Sequence, residues 1–200
     1  FAWEVSSEEF LKEHDKINNL KLRLGWGKVG NQNIPAYGYA ARLSSIATIW
    51  GAGLLADNVA NPNLQWETTS SYNVGFDFGM FKNRLELVVD LYLKKTDNLL
   101  LQIPLPAYIG TGTGNRKPGQ MSSPWDNVGS IQNKGLEITL NTVNVDTQGF
   151  TWRSNFVFSA NRNKVLSLIS ESSHFDANMT RGSETTIATR TSVGKPIGQF

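Results

Sequence analysis

Two long runs in which apolar and polar residues alternate dominate the hydrophobic pattern of this chain. Both lie between Gln65 and Asn98, and a short polar link, residues 81–84, separates them. A period of two residues predicts β-strands with one apolar and one polar face, and the short link predicts a hairpin. The apolar residues are Tyr72, Val74, Phe76, Phe78 and Met80 on the first arm and Leu85, Leu87, Val89, Leu91 and Leu93 on the second.

The register of this hairpin follows from its two apolar faces. They coincide when Met80 pairs with Leu85, whereas a slip of one residue would turn one face over. Each arm holds about 14 strand-like residues and extends roughly 45 Å. A soluble domain usually uses strands of about 5 or 6 residues and a membrane span needs about 9 to 11, so these arms are long enough to cross a bilayer and project beyond it. The same register pairs Phe78 with Leu87, Phe76 with Val89 and Val74 with Leu91.

The polar face of the hairpin carries charges at Asp77, Glu86, Asp90 and Lys94. An apolar face toward lipid and a charged face toward a water-filled lumen is the pattern of an outer-membrane β-barrel. A long hairpin in a large soluble sandwich or solenoid is the alternative that this stretch alone leaves open.

The same alternation predicts three further strands. One covers residues 17–30, and two more form a second hairpin around a tight link at residues 146–149. In that hairpin, a register that pairs Ile138 with Phe156 aligns the apolar faces. It also places Asn141 opposite Arg153 on the polar side.

Long and short connections alternate along the chain. The links at 81–84 and 146–149 are short, whereas the segments 31–62, 99–130 and 170–192 are long. We predict a short strand within residues 37–49 and a Ser/Thr-rich loop over residues 170–190. Short turns on one side and long loops on the other are typical of outer-membrane barrels. The sequence therefore predicts an all-β, antiparallel transmembrane β-barrel segment with long extracellular loops.

Composition removes several classes of function. The formal net charge is only +2 and no basic tract is present, which argues against nucleic-acid binding. The chain has no cysteine, so no disulfide or cysteine metal site is expected. We predict no metal site and no cofactor, because His14 and His174 lack partners in the sequence and the glycines at 110–114 lack the strand and helix of a phosphate loop. The chain begins and ends in the middle of a pattern, and we interpret it as a fragment.

Several motifs, which occur in the same order as in a known family, carry a resemblance that spans nearly the whole chain. With these motifs the chain resembles the C-terminal barrel part of the SusC/RagA family, the TonB-linked outer-membrane importers of Bacteroidota. The motifs are Leu20-Lys21-Leu22-Arg23, Gly30-Asn31-Gln32-Asn33-Ile34, Asn61-Pro62-Asn63-Leu64-Gln65-Trp66-Glu67, Tyr72-Asn73-Val74-Gly75-Phe76-Asp77, Asp90-Leu91-Tyr92-Leu93-Lys94-Lys95-Thr96, Asn127-Val128-Gly129-Ser130, Lys134-Gly135-Leu136-Glu137, Asn161-Arg162-Asn163-Lys164-Val165 and Gly194-Lys195-Pro196-Ile197-Gly198, the last resembling the start of a further strand.

The resemblance implies the rest of the molecule. It implies that residues 1–200 are part of a barrel of about 22 strands, with a plug, a TonB-contacting segment and a SusD-like surface lipoprotein. The implied function is active import of oligosaccharides or oligopeptides across the outer membrane. A receptor for a siderophore or vitamin is the alternative within the class. A soluble glycan-binding β domain and an outer-membrane enzyme are the alternatives outside it; we predict no enzyme, because no nucleophile and base form a signature.

The candidate site residues fall into two groups. Loop aromatics are predicted to contact substrate, because rings give a large contact area with a polar handle; bracing one loop against another, or an interface girdle, is the alternative. Polar residues of the inner face are predicted to face the lumen and to pair with one another or hold the plug. The loop at residues 99–126 is predicted to be extracellular and to contact substrate or the lipoprotein. The two groups are Tyr37, Tyr39, Trp50, Tyr108 and Trp125, and Asp77, Asp90, Glu137 and Arg153.

Overall fold

The computed structural model describes residues 1–12, 16–103, 105 and 121–200. In these ranges the chain forms twelve strands, one short helix, α1 (Glu9–Lys12), and one 3-10 turn, Val5–Ser7. No helix in the described ranges is long and apolar enough to span a membrane. The strands are β1 (Ala2–Glu4), β2 (Ile17–Asn31), β3 (Leu43–Thr48), β4 (Gly51–Ala56), β5 (Glu67–Met80), β6 (Leu85–Asp97), β7 (Leu100–Gln102), β8 (Trp125–Asn127), β9 (Ser130–Asp146), β10 (Thr151–Ser167), β11 (His174–Arg181) and β12 (Glu184–Ser192).

Six strands form one antiparallel sheet in the order β1-β2-β5-β6-β9-β10. Its long strands have 13 to 17 residues, which confirms the strand lengths expected from the alternating pattern. The predicted register of the central hairpin is also confirmed, because Met80 pairs with Leu85 and Phe76 pairs with Val89. Hydrophobic pattern and turn length were sufficient here because any odd slip would expose the wrong face.

The predicted register of the second hairpin is wrong by two residues. Ile138 pairs with Phe158 rather than with Phe156, and Asn141 lies opposite Asn155 rather than opposite Arg153. The faces are nevertheless those expected, since a slip of two residues leaves each side chain on its own side. The turn lies one to two residues later than predicted. Thr147 closes it by donating its backbone N–H to Phe150 O over 3.0 Å.

A β-bulge explains why alternation alone misplaced this register. The pairing shifts between Trp152 and Arg153, so that Asn144 is an extra residue on the opposite strand. The guanidinium of Arg84 donates to the carbonyl oxygens of Val143 and Asn144, each over 3.1 Å, and so satisfies backbone groups at the bulge. The extra residue also brings Val145 opposite Trp152, on the apolar side of the sheet.

The sheet has one apolar and one polar face across all its long strands. Residues that are neighbours across the strands form rows, and each row belongs to one face. The central apolar row lies midway between the Leu85 and Leu93 rows. It consists of Leu22, Phe76, Val89, Ile138 and Phe158.

The apolar face has almost no cover within the described residues. In this part of the chain the only buried hydrophobic residues are Val5, Val128 and Val165. Leu24, Val74 and Leu91 of the apolar face are each about half exposed. A soluble protein rarely leaves so large an apolar surface in water. The described part of the sheet is therefore a single layer whose apolar face is largely uncovered.

Each long connection contains a small two-stranded sheet. The strand expected within residues 37–49 is confirmed as β3, which pairs with β4, and β7 pairs with β8. The expectation of a Ser/Thr-rich loop over residues 170–190 is wrong, because β11 and β12 form a hairpin there. Threonine favours extended backbone, and Gly182 supplies the positive φ of 64° that the turn requires. Residues 193–198 form turns rather than the start of a strand.

Candidate functional site

The polar face of the sheet contains one charge cluster, centred on Arg23 of β2. Its Nη2 lies 2.7 Å from Asp77 Oδ1, and its Nε lies 3.0 Å from Asp77 Oδ2, which is a two-pronged contact. The same Nη2 lies 2.9 Å from Asp90 Oδ1. A planar guanidinium suits this arrangement because its donors match the geometry of a carboxylate. Three adjacent long strands are thus joined through one side chain.

The absence of a side chain at Gly75 makes this cluster possible. Arg23, Gly75 and Asp90 are direct neighbours across β2, β5 and β6. A Cβ at position 75 would lie 2.6 Å from Arg23 Cζ and 2.7 Å from Asp90 Oδ1, which no relaxed contact permits. Glycine at this position therefore lets the guanidinium reach across the intervening strand.

The four polar residues predicted for the inner face are only partly brought together. Asp77 and Asp90 share Arg23, whereas Glu137 is the neighbour of Asp90 on β9. Arg153 lies opposite Val143, toward the short turn, and has no carboxylate partner among the described residues. Arg23, which was not among the predicted residues, therefore provides the positive charge for Asp77 and Asp90. That the predicted residues face the lumen or hold the plug stays a prediction.

The long connections gather at the opposite end of the sheet from the short turns. There the indole of Trp125 packs against the backbone between Tyr37 and Tyr39, since a Cβ at Gly38 would stand 3.7 Å from Trp125 Cδ1. The backbone that carries Tyr37 and Tyr39 therefore lies beside Trp125, while both tyrosine side chains are exposed, at 71% and 51%. Trp50 stands apart at the tip of the β3–β4 hairpin, where it is 90% exposed. Tyr108 lies outside the described residues.

Asparagine side chains tie these connections to one another. Asn61 Nδ2 donates to Trp125 O over 3.1 Å and to Asp126 Oδ1 over 2.9 Å. The amide of Asn127 accepts from Gln65 N over 2.7 Å and donates to Gln65 O over 2.8 Å, so it imitates a paired backbone group. It also donates to Asn98 O over 3.0 Å. Residues 31–66 are thereby tied to residues 98–103 and 121–127 of the second connection.

A second tie of the same kind is buried. Asn58 is 6% exposed, accepts from Arg42 N over 2.8 Å and donates to Ala40 O over 3.0 Å. Ser122 donates its backbone N–H to Asp57 O over 2.7 Å, which joins the two segments again. Buried amides that satisfy backbone groups in this way stabilise an irregular loop in one conformation.

The third connection has its own ion pair outside the sheet. Arg190 of β12 donates to both carboxylate oxygens of Asp176 on β11, over 2.7 and 2.9 Å. These hydrogen bonds lower the pKa of Asp176 below its ordinary value. The pair lies across the hairpin as direct neighbours, so it stabilises the β11–β12 register.

The sequence contained signals for some of the residues that reasoning from it missed. Arg23 lies on the polar face of β2, because it alternates with the apolar residues of that strand. Pairing β2 with β5 so that their apolar faces coincide would have placed it beside Gly75. Asn61 and Asn127 belong to quoted motifs, but their partners are far apart in sequence. No pattern in the sequence indicates that Asn127 meets Gln65.

The comparisons with known proteins agree with this geometry. Residues 14–198 match the family described as TonB dependent receptor-like, beta-barrel. TonB-dependent receptor P3 of Formosa agariphila is 39% identical over 171 residues, which cover 84% of this chain and 16% of that protein. TonB-dependent receptor SusC of Bacteroides thetaiotaomicron is 33% identical over 175 residues, covering 84% of this chain and 17% of that receptor.

Solved structures give the same result. The RagAB peptide importer in its open-open state superposes with a TM-score of 0.75 at 26% identity, over 98% of this chain and 20% of the importer chain. The chain spans less than one fifth of the length of the curated relatives. These relatives are receptors, which confirms the expectation that the chain is not an enzyme.

Proposed function

This chain belongs to the family of TonB-dependent receptor-like β-barrels, and from that premise we propose that residues 1–200 are a wall segment of an outer-membrane importer. The family is one of outer-membrane proteins, to which the SusC and RagA relatives belong. In the proposal the remaining strands, the plug and the TonB-contacting segment belong to a longer chain. The importer binds and moves its substrate without breaking a bond.

The observation that carries this proposal is the two-faced sheet. An uncovered apolar face across all long strands fits lipid, and a polar face with the Arg23 cluster fits a water-filled lumen. The three long connections at one end fit extracellular loops, and the turns at 81–84 and 147–150 fit the periplasmic side.

The proposed substrates are oligosaccharides or oligopeptides. The RagAB relative is described as a peptide importer, which supports the second class. The aromatic residues Tyr37, Tyr39, Trp50 and Trp125 support either class, since rings stack on sugar faces and on peptide side chains. In the proposal Trp50 contacts substrate, because it is the most exposed of the four, while half-buried Trp125 packs beside the backbone at Gly38.

The proposed partners are a SusD-like surface lipoprotein and the TonB complex. The lipoprotein would meet the surface formed by residues 31–66 and the described ends of the second connection, residues 98–103 and 121–127, which the asparagine side chains tie together. Energy coupling through TonB requires the plug, so we expect no TonB-dependent uptake by a form from which the plug has been deleted.

Uptake in cells that produce the full-length receptor tests this function. Labelled oligosaccharide and oligopeptide mixtures are supplied to cells with TonB, without TonB and with a proton-gradient uncoupler. We expect accumulation of one of the two classes only in cells with both TonB and the gradient. Accumulation that persists without TonB, or TonB-dependent uptake by the plug-deleted form, would contradict the proposal.

Two tryptophan substitutions test the part assigned to the loops. Trp50→Ala should weaken substrate binding about fivefold, the effect of losing one stacking ring. Trp26→Ala is the matched control, because Trp26 is also exposed, at 69%, but lies on the apolar face. Equal loss of binding in the two variants, or no loss in either, would remove Trp50 from the substrate site.

A further inference from the structure

Basic residues occur on the apolar face of the sheet, here called the outer face, at the end of the strands where the long connections begin. The apolar residues of this face form a band, and the basic residues lie at its edge. Two rows are involved. The first follows the apolar band and consists of Trp26, Tyr72, Leu93, Lys134 and Arg162. The second lies one step closer to the loops and consists of Lys28, Ser70, Lys95, Gln132 and Lys164.

Four of these five cations have no acidic partner within the described residues. Lys95 forms an ion pair with Asp97 over 2.9 Å. By contrast, no carboxylate of the described part of the chain lies within ion-pairing distance of the other four, and all four are exposed. These four residues, here called the basic rim, are Lys28, Lys134, Arg162 and Lys164.

A groove on the same face leads from the apolar band to the basic rim. It has a volume of about 580 Å³ and is lined mainly by apolar surface. Val74, Leu91 and Leu136 form its floor, and the small side chain of Ala160 leaves it open toward β10. Lys134 and Arg162 stand at its upper end. An open, mainly apolar groove with two cations beside it has the lining and the charge of a site for an acyl chain with an anionic head.

The height of the basic rim matches the edge of a membrane. Lys134 and Arg162 lie four residues above the central row with Val89, and Lys28 and Lys164 lie six above it. With a rise of about 3.3 Å per residue and a tilt of about 40°, these positions are about 10 and 15 Å above the centre of the band. An apolar band that is about 25 Å tall extends about 12.5 Å above its centre, so its upper edge lies between these two levels. The basic rim therefore stands at the level of lipid head groups.

We propose that the groove and the basic rim bind a phosphate-bearing lipid of the outer leaflet. The acyl chain lies along Val74, Leu91 and Leu136, and the phosphate meets Lys134 and Arg162, with Lys28 and Lys164 beside them. This site rests on the proposed function, since the long connections must be extracellular for the lipid to belong to the outer leaflet. Basic residues at this depth attract anionic head groups, each contributing roughly a fivefold gain in affinity.

The test uses the full-length receptor purified in detergent and native mass spectrometry of the lipid it retains. Diphosphoryl lipid A, monophosphoryl lipid A and inorganic phosphate are the probes. The variant Lys134→Gln/Arg162→Gln should retain diphosphoryl lipid A roughly 25-fold less well than the unaltered receptor. The charge-preserving variant Lys134→Arg/Arg162→Lys should retain it, and this variant separates loss of charge from misfolding. Lys94→Gln is the matched control, since Lys94 is one residue from Lys95 but belongs to the inner face.

The results separate a lipid site from its alternatives. Weaker binding only in the charge-removing variant, with diphosphoryl lipid A bound more tightly than the monophosphoryl form, supports the proposal. Unchanged retention, or equal loss in Lys94→Gln, overturns it. Displacement of the lipid by millimolar inorganic phosphate would mean a free-anion site and would also overturn it. Uptake is measured on the same variants. If uptake does not depend on TonB but lipid binding is intact, the proposed importer function is refuted and the lipid site is not. If TonB-dependent uptake is intact but lipid binding is not selective, the lipid site is refuted and the importer function is not.

Discussion

Replacing Arg23 by Met should destabilise the sheet by about 2 kcal/mol. A buried hydrogen bond to a charged group contributes about 1.5 to 3 kcal/mol, whereas an exposed ion pair contributes about 0 to 1 kcal/mol. The side chain of Arg23 is 38% exposed and that of Asp77 is 20% exposed, so their two-pronged contact falls between these limits, at about 1.5 kcal/mol. Asp90 is 36% exposed and adds about 0.5 kcal/mol.

The assay is reversible urea unfolding of the full-length receptor in lipid vesicles, followed by tryptophan fluorescence. A double-mutant cycle with Arg23→Met and Asp77→Asn isolates the contact, and its coupling energy should be about 1 to 1.5 kcal/mol. Lys21→Met is the matched control, because Lys21 shares the strand and the face of Arg23 but forms no ion pair in the described part of the chain. Its cost should remain below about 0.5 kcal/mol.

Two results would refute this reasoning. If Lys21→Met costs as much as Arg23→Met, the effect is one of net charge on the polar face and not of the specific contact. If the coupling energy between Arg23 and Asp77 is zero, the geometry seen here contributes nothing to stability. A changed dependence on urea concentration would instead signal an altered unfolded state, and the comparison is therefore made at constant slope.

Three further predictions follow from other parts of the structure. Gly75→Ala should cost at most about 2 kcal/mol, the contribution of the Arg23 contacts that it displaces, and should cost less in the Arg23→Met background, whereas Gly27→Ala, with nothing within 4 Å, should be neutral in the same unfolding assay. Asn127→Ala should speed hydrogen exchange at Gln65 N by at least tenfold, and unchanged exchange would exclude the tie. Because the pKa of Asp176 is depressed, its pair with Arg190 stabilises β11–β12 fully above the ordinary carboxyl pKa of about 3.9 and is lost as pH falls through the lower folded value. The protection factors of amides in the hairpin, which are corrected for the intrinsic pH dependence of exchange, should therefore fall only at acid pH, and Asp176→Asn should abolish that fall.

The fold was predictable from the sequence wherever alternation and turn length acted together. The Met80–Leu85 register followed from two apolar faces and a short link. The register of the second hairpin was not predicted correctly, because the bulge at Asn144 adds one residue. The contacts of Arg84 with the carbonyl groups at this bulge join residues that are 59 and 60 positions apart in the sequence. The β11–β12 hairpin was not predicted, because a Ser/Thr-rich composition fits a loop and a polar strand equally well.

The candidate site was less predictable, since its contacts join distant parts of the chain. The polar parity of Asp77 and Asp90 indicated the inner face, but their common partner Arg23 became visible only when β2 was placed beside β5. The loop aromatics were recognised as residue types. The approach of the Tyr39 backbone to Trp125 depends on Asn61, whose side-chain partners are 64 and 65 residues away.

The central claim, that the sheet is a membrane wall with lipid on one face and water on the other, is tested most directly by nitroxide labels placed singly along residues 85–93 of the full-length receptor in vesicles. Collisions with dissolved oxygen report contact with lipid, and collisions with a water-soluble nickel complex report contact with water. The account predicts strict alternation, with Val89 accessible to oxygen and Asp90 to nickel. The same accessibility at both positions, or the reversed pattern, would contradict it.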